Sequence, residues 1–194
     1  APFDYNYVKL FNDNCQYKDT NNPRWYMSDI VNDVANGNDA GKKVGVFYFP
    51  GGYSAGLAQT AIEALEKQGI KPIRAIVGIA SAPSYAENIQ DFIDAGIEVL
   101  YLVGGGLDSG VFMRQVSQMD APFHVLSSDT LVSKVFIETA GVAGEGVPFT
   151  FPPAAAELST ATQAVSELKK LGEEPAGYTL FAYAATQTWI EGVR

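Results

Sequence analysis

From Lys43 onward the chain alternates between two hydrophobic rhythms. Val44 to Phe49 (VGVFYF) is an unbroken run of glycine, β-branched and aromatic residues, the pattern of a strand covered on both faces. A Gly-rich turn follows, and then apolar residues recur at Leu57, Ala61, Ala64 and Leu65 before Gly69, the spacing of an amphipathic helix with a glycine stop. The alternation repeats along the chain. It predicts strands over 44–49, 73–79, 97–103, 123–127 and 147–151. Helices are predicted over 54–68, 84–95, 109–118, 131–140, 155–171 and 178–192, with Gly96, Gly141 and Gly172 where helices should stop. Strands joined by helical crossovers imply an α/β fold: a doubly wound, mostly parallel sheet with helices on both faces. Such sheets bind ligands at the carboxyl ends of their strands.

Residues 1–40 break the rhythm. YNYVKLF has strand character, but NDNCQYKDTNNPRW is polar and rich in turn formers. A helix is expected from about Pro23 to Ala35, with Pro23 in its first turn. The expected organisation is therefore an irregular entry and first helix over 1–40 and an α/β ligand-binding lobe over 41–194. Pro152 to Ala156 reads as a short rigid connector. The last helix runs to Arg194 without a cap, and both ends suggest a piece of a larger protein.

Composition narrows the function classes. With 194 residues, 47% of them hydrophobic, the chain can build one sizeable core. A net charge of −9, with Lys42–Lys43 and Lys169–Lys170 as the only adjacent basic pairs, argues against nucleic acid. No apolar run approaches the roughly 18–20 residues of a membrane span. No basic-led hydrophobic leader opens the chain, so an export signal is expected to have been removed or never present. The single cysteine, Cys15, rules out an internal disulfide and a multi-cysteine metal site.

Three strand ends carry candidate chemistry. Gly52-Tyr53-Ser54-Ala55-Gly56 fits G-x-S-x-G, so a serine hydrolase acting through Ser54 is one reading. That reading needs a downstream histidine on a loop after the last strand. The only histidine, His124, sits in the run PFHVL at the start of a predicted strand, where a structural role is expected. Gly104-Gly105-Gly106 follows the third strand without a G-x-G-x-x-G pattern, and serves either as a permissive turn or as a contact loop. Ser127-Ser128-Asp129-Thr130 follows the fourth. Ser128 or Asp129 could cap helix 131–140, or Asp129 could face a ligand's ammonium group. The candidate ligand-binding set is Tyr53, Ser54, Gly105, Gly106, Ser128 and Asp129, suited to a small zwitterion. No catalytic cluster, metal set or cofactor motif emerges.

The stretch from about Lys42 to Arg194 resembles the second lobe of type I periplasmic substrate-binding proteins, the leucine/isoleucine/valine-binding branch of ABC importers. The resemblance is carried by Tyr53-Ser54-Ala55-Gly56-Leu57-Ala58, by Tyr85 through Asp94 leading into Ile97–Gly104, and by Phe112-Met113-Arg114-Gln115. Gly144-Glu145-Gly146-Val147 and Tyr183-Ala184-Ala185 complete it. About four fifths of the chain is covered. The resemblance implies that Tyr53 lines the ligand cleft and that Asp129 holds the ammonium of an amino acid. Branched-chain members carry an aromatic where this chain has Gly106, which implies a more open pocket. The resemblance further implies a non-enzymatic solute-binding protein for a small amino acid or related carboxylate. It also implies a second lobe before residue 1, an ABC permease as partner, and a periplasmic or extracellular location. The same fold also serves ligand-sensing receptor modules.

Overall fold

A computed structural model describes residues 34, 39–151, 155–175 and 177–193; the entry segment expected over 1–40 lies almost wholly outside them. The chain divides between Pro152 and Pro153 into two compact units. The first holds a four-stranded sheet: β1 (Val44–Tyr48), β2 (Arg74–Val77), β3 (Val99–Val103) and β4 (His124–Ser127), in the order β2-β1-β3-β4. All three pairings are parallel, with Tyr48 beside Val77 and Val103, and Val99 beside His124. The helices between them are α1 (Gly52–Lys67), α2 (Ala86–Asp94) and α3 (Gly106–Gln118), followed by α4 (Lys134–Ala140). The α/β, doubly wound reading holds.

Alternation along each strand sorts the core into two layers. Val44, Val46, Val99, Tyr101, Val103 and Leu126 pack with Ala58, Ala61 and Leu65 of α1. Phe47, Leu100, Leu102 and Val125 point the other way, onto Ile89 and Phe92 of α2 and Phe112, Met113 and Val116 of α3. The second layer is aromatic: Phe47 stacks on Phe112 at 4.6 Å between ring centroids and meets Phe49, Tyr85 and Phe92 edge-on. Strands buried on both faces are why their sequences read as continuous apolar runs. Glycine closes α1 and α2 in the same way. Gly69 (φ 78°) and Gly96 (φ 67°) adopt left-handed backbone, and the amides after them bond back to Leu65 and Phe92.

Three predicted elements are shorter than the pattern implied. Segment 147–151 joins the sheet only by a bridge between Ser127 and Phe149, with Ser127 N donating to Pro148 O at 2.9 Å. Pro148 has no N–H to extend the ladder. The helix expected from 131 starts at Lys134, because Ser133 caps it by accepting from Phe136 N at 3.0 Å. Asp129–Leu131 forms a separate 3₁₀ turn, so neither Ser128 nor Asp129 caps that helix. In the second unit, 155–171 resolves into two 3₁₀ turns and α5 (Thr162–Lys170). There Thr162 Oγ1 donates to Ser159 O at 2.9 Å, a local bond that competes with a longer helix. The last element, α6 (Thr179–Gly192), matches the helix expected over 178–192 and leaves Phe181, Trp189 and Ile190 exposed.

Candidate functional site

The strand order reverses between β1 and β3, the switch point at which a doubly wound sheet opens a crevice at its carboxyl edge. Gly51 turns the chain there. Its φ of 140° and ψ of 150° lie in a region open essentially to glycine, and α1 starts at the next residue. Tyr53 and Ser54 therefore sit inside the first turn of α1, where helical amides open toward the same edge. Tyr53 is 54% exposed, and its hydroxyl donates to the Asp129 carboxylate from the loop after β4. Two of the predicted site residues, 76 positions apart, thus meet directly. Ser128 is fully buried, and its hydroxyl pairs with Thr130 Oγ1 at 3.2 Å.

Of the three glycines after β3, the two in the candidate set differ. Gly105 is exposed and precedes α3; a Cβ on it would meet nothing within 4 Å. A Cβ on Gly106 would run into Ser133 Oγ, so the missing side chain lets the α4 cap approach α3. Gly104 is packed as closely against Phe49. Nearby, Asp108 in the first turn of α3 accepts from the Tyr85 hydroxyl at 2.6 Å and from Ser81 N at 2.8 Å, tying the loop after β2 to α3. Burial, and then Asp108, hold the Tyr85 proton well above the ordinary phenol range.

Tyr101 is a group that sequence reasoning missed. It is 2% exposed on β3, its hydroxyl has no hydrogen-bond partner among the described residues, and burial first, then Tyr53 and Asp129, raise its pKa. The one signal was a tyrosine inside the apolar run IEVLYLVG.

The hydrolase geometry does not form. A nucleophile elbow strains its serine, but the non-glycine residues with positive φ among those described are Ser81 and Asp120, not Ser54. His124 opens β4 at the opposite end of the sheet, level with Val99, and its Nε2 lies 3.0 Å from Asp39 Oδ2. The four residue steps from Val99 to Val103 alone span about 13 Å. Among the described residues no group of three or more His, Cys, Asp or Glu side chains could hold a metal, and no helix is long and apolar enough to cross a membrane.

Comparison with known proteins follows the same line. No protein-family model matches the chain. It is 27% identical over 152 residues to Leu/Ile/Val-binding protein homolog 1 of Brucella suis, covering 78% of this chain and 41% of that protein. It is 28% identical over 149 residues to an amino acid binding protein of Pseudomonas aeruginosa, covering 76% and 40%. The chain thus spans about two fifths of the length of these relatives. The leucine binding protein LivK of Thermotoga maritima superposes with a TM-score of 0.75 at 22% identity, over 86% of this chain and 48% of that one. The substrate-binding protein LivJ of Streptococcus pneumoniae, solved with isoleucine, gives 0.68 at 16% identity, over 84% and 47%. The fold is that of type I periplasmic binding proteins. The resemblance to the Leu/Ile/Val-binding branch read from the sequence is borne out, and these relatives are binding proteins rather than enzymes.

Proposed function

We propose that residues 41–194 are the ligand-binding lobe of a non-enzymatic solute-binding component of an ABC importer. Its ligand is a small amino acid of branched-chain type or a related small carboxylate. The observation that carries the reading is the Tyr53–Asp129 pair at the carboxyl edge of the sheet, beside the switch point. An aromatic ring and a carboxylate there suit an α-ammonium group: the carboxylate accepts its N–H bonds, and the ring covers its apolar neighbours. Ser54, Gly105, Gly106 and Ser128 supply the surrounding first-turn and loop backbone. Relatives named for leucine, isoleucine and valine binding support the ligand class.

A second lobe would grip the carboxylate and close over the ligand by hinge motion. The protein would work outside the cytoplasm and deliver its cargo to a membrane permease. Isothermal titration of the full-length protein with leucine, isoleucine, valine and small carboxylates tests the reading. Binding in the micromolar range or tighter is expected for at least one of them. A folded protein that binds none would overturn it.

A further inference from the structure

Three glycines follow β3, and packing requires two of them. A Cβ on Gly104 would collide with the ring of Phe49, which packs into the aromatic layer. One on Gly106 would collide with Ser133 Oγ, the cap of α4. Gly105 meets neither of the usual demands for glycine. Its backbone (φ −69°, ψ 157°) is extended and open to any residue, and a Cβ there would meet nothing within 4 Å. Glycine at such a position adds conformational freedom to the unfolded chain without serving the fold. The free space expected at Gly106 therefore lies one residue earlier.

That space adjoins the Tyr53–Asp129 pair. Tyr53 follows β1 and Asp129 follows β4, strands roughly 10 Å apart with β3 between them. Their hydrogen bond therefore spans the end of β3. Leu102 is level with Ser127 in the ladder, so Gly104 and Gly105 leave β3 at the height where Asp129 leaves β4. The chain between the two partners thus carries no side chain at its one unobstructed position.

The geometry points to Gly105 as a specificity-determining residue of the proposed site: by lacking a side chain it leaves room beside the Tyr53–Asp129 pair for the side chain of the ligand. A ligand whose ammonium meets Asp129 brings its Cα beside residue 105. An alanine methyl leaves the space there to water, whereas the side chain of leucine or phenylalanine fills it with apolar surface. This inference rests on the function proposed above and deepens it. The ligand class it names is α-amino acids with side chains of leucine size or larger.

The experiment titrates the full-length protein and its Gly105→Ala, Gly105→Leu and Gly106→Ala variants with L-alanine, L-valine, L-leucine and L-phenylalanine, alongside thermal melts. The unsubstituted protein is expected to bind leucine or phenylalanine about tenfold or more tighter than alanine. Gly105→Leu should weaken leucine and phenylalanine about tenfold or more by steric exclusion, while alanine stays within about threefold. Gly105→Ala should move the leucine-to-alanine ratio in the same direction by a smaller factor, which keeps the test decisive if the larger variant does not fold. Gly106→Ala should leave that ratio within about twofold, since its Cβ meets Ser133 instead of the ligand. An unchanged ratio in the Gly105 variants would mean an ordinary solvent-facing turn and overturn the inference. So would equal weakening of all four ligands, a preference of the unsubstituted protein for alanine, or binding confined to carboxylates that lack an ammonium group. Each of these leaves the proposed function standing. Absence of binding by the folded, unsubstituted protein to leucine, isoleucine, valine and small carboxylates would overturn both.

Discussion

The two ends of the sheet each hold a carboxylate, and they are held differently. At the amino end Asp39 is 1% exposed, with Lys42 Nζ at 2.7 Å and His124 Nε2 at 3.0 Å. At the carboxyl end Asp129 is half-buried and takes the hydroxyl of Tyr53. An acid engaged by basic side chains of its own chain fastens one segment to another. An acid held by a phenol keeps a partner that a stronger, cationic donor can displace. On the function proposed above, the chemistry of the partner, more than the burial of the acid, separates a structural clasp from a binding group.

The sharpest way to break this comparison is to neutralise each acid in turn. Asp129→Asn in the full-length protein should cost about 2–5 kcal/mol of amino-acid affinity by titration, because the ligand's ammonium would lose its buried counter-charge. The unliganded melting temperature should barely move, since a partly exposed contact of this kind contributes about 0–1 kcal/mol. Surviving affinity would remove the ammonium from the proposed ligand. Asp39→Asn should do the reverse, lowering unfolding free energy by about 1–3 kcal/mol in urea melts with ligand affinity unchanged. Its partners Lys42 and His124 are 38% and 45% exposed and can turn to water, which holds the cost below that of a fully stranded charge.

Alkaline pH sharpens the contrast at the level of the tyrosines. Tyr85 and Tyr101 have folded-state pKa values raised above the ordinary 10.0, chiefly by burial. Above pH 10 the unfolded chain loses protons that the folded chain keeps, so stability falls as pH rises through that range. Each tyrosine should contribute about 1.4 kcal/mol of loss per pH unit until the folded form also ionises. Tyr85→Phe and Tyr101→Phe should each flatten the slope of unfolding free energy against pH above 10; an unaltered slope would mean that these phenols ionise freely in the folded state. The smallest effects separate Gly105 from Gly106 after β3. Gly106→Ala should destabilise by about 1 kcal/mol, because its Cβ meets the Ser133 cap. Gly105→Ala, with open space and φ of −69°, should cost no more than about 0.5 kcal/mol.

Much of the fold was legible because buried parallel strands and amphipathic helices write their periods into the chain. Val44–Tyr48 and Val99–Val103 lie inside the strands predicted from apolar runs alone, and Gly96, Gly141 and Gly172 follow helices as positive-φ residues. Where the pattern overreached, local chemistry intervened. Pro148 withheld a donor from the fifth strand, and Ser133 captured the Phe136 amide and started its helix late. The edge that carries the candidate site was legible in outline, because strand ends in such a sheet gather at one edge whatever the residues are. The G-x-S-x-G pattern misled for a related reason: a motif specifies spacing, while a nucleophile elbow is a backbone strain at the serine, which Ser54 lacks.

The sequence by itself determined which residues lie on which face and at which end of the sheet, since strand and helix periods are set within a few residues by backbone geometry. Only the tertiary structure decided which of them touch. Tyr53 and Asp129 stand 76 positions apart, and Tyr101 lies in a run that reads as core. No local period encodes that this phenol and this carboxylate meet. Their meeting depends on the order β2-β1-β3-β4 and on the layer that each strand turns toward α1, and those are settled by long-range packing alone.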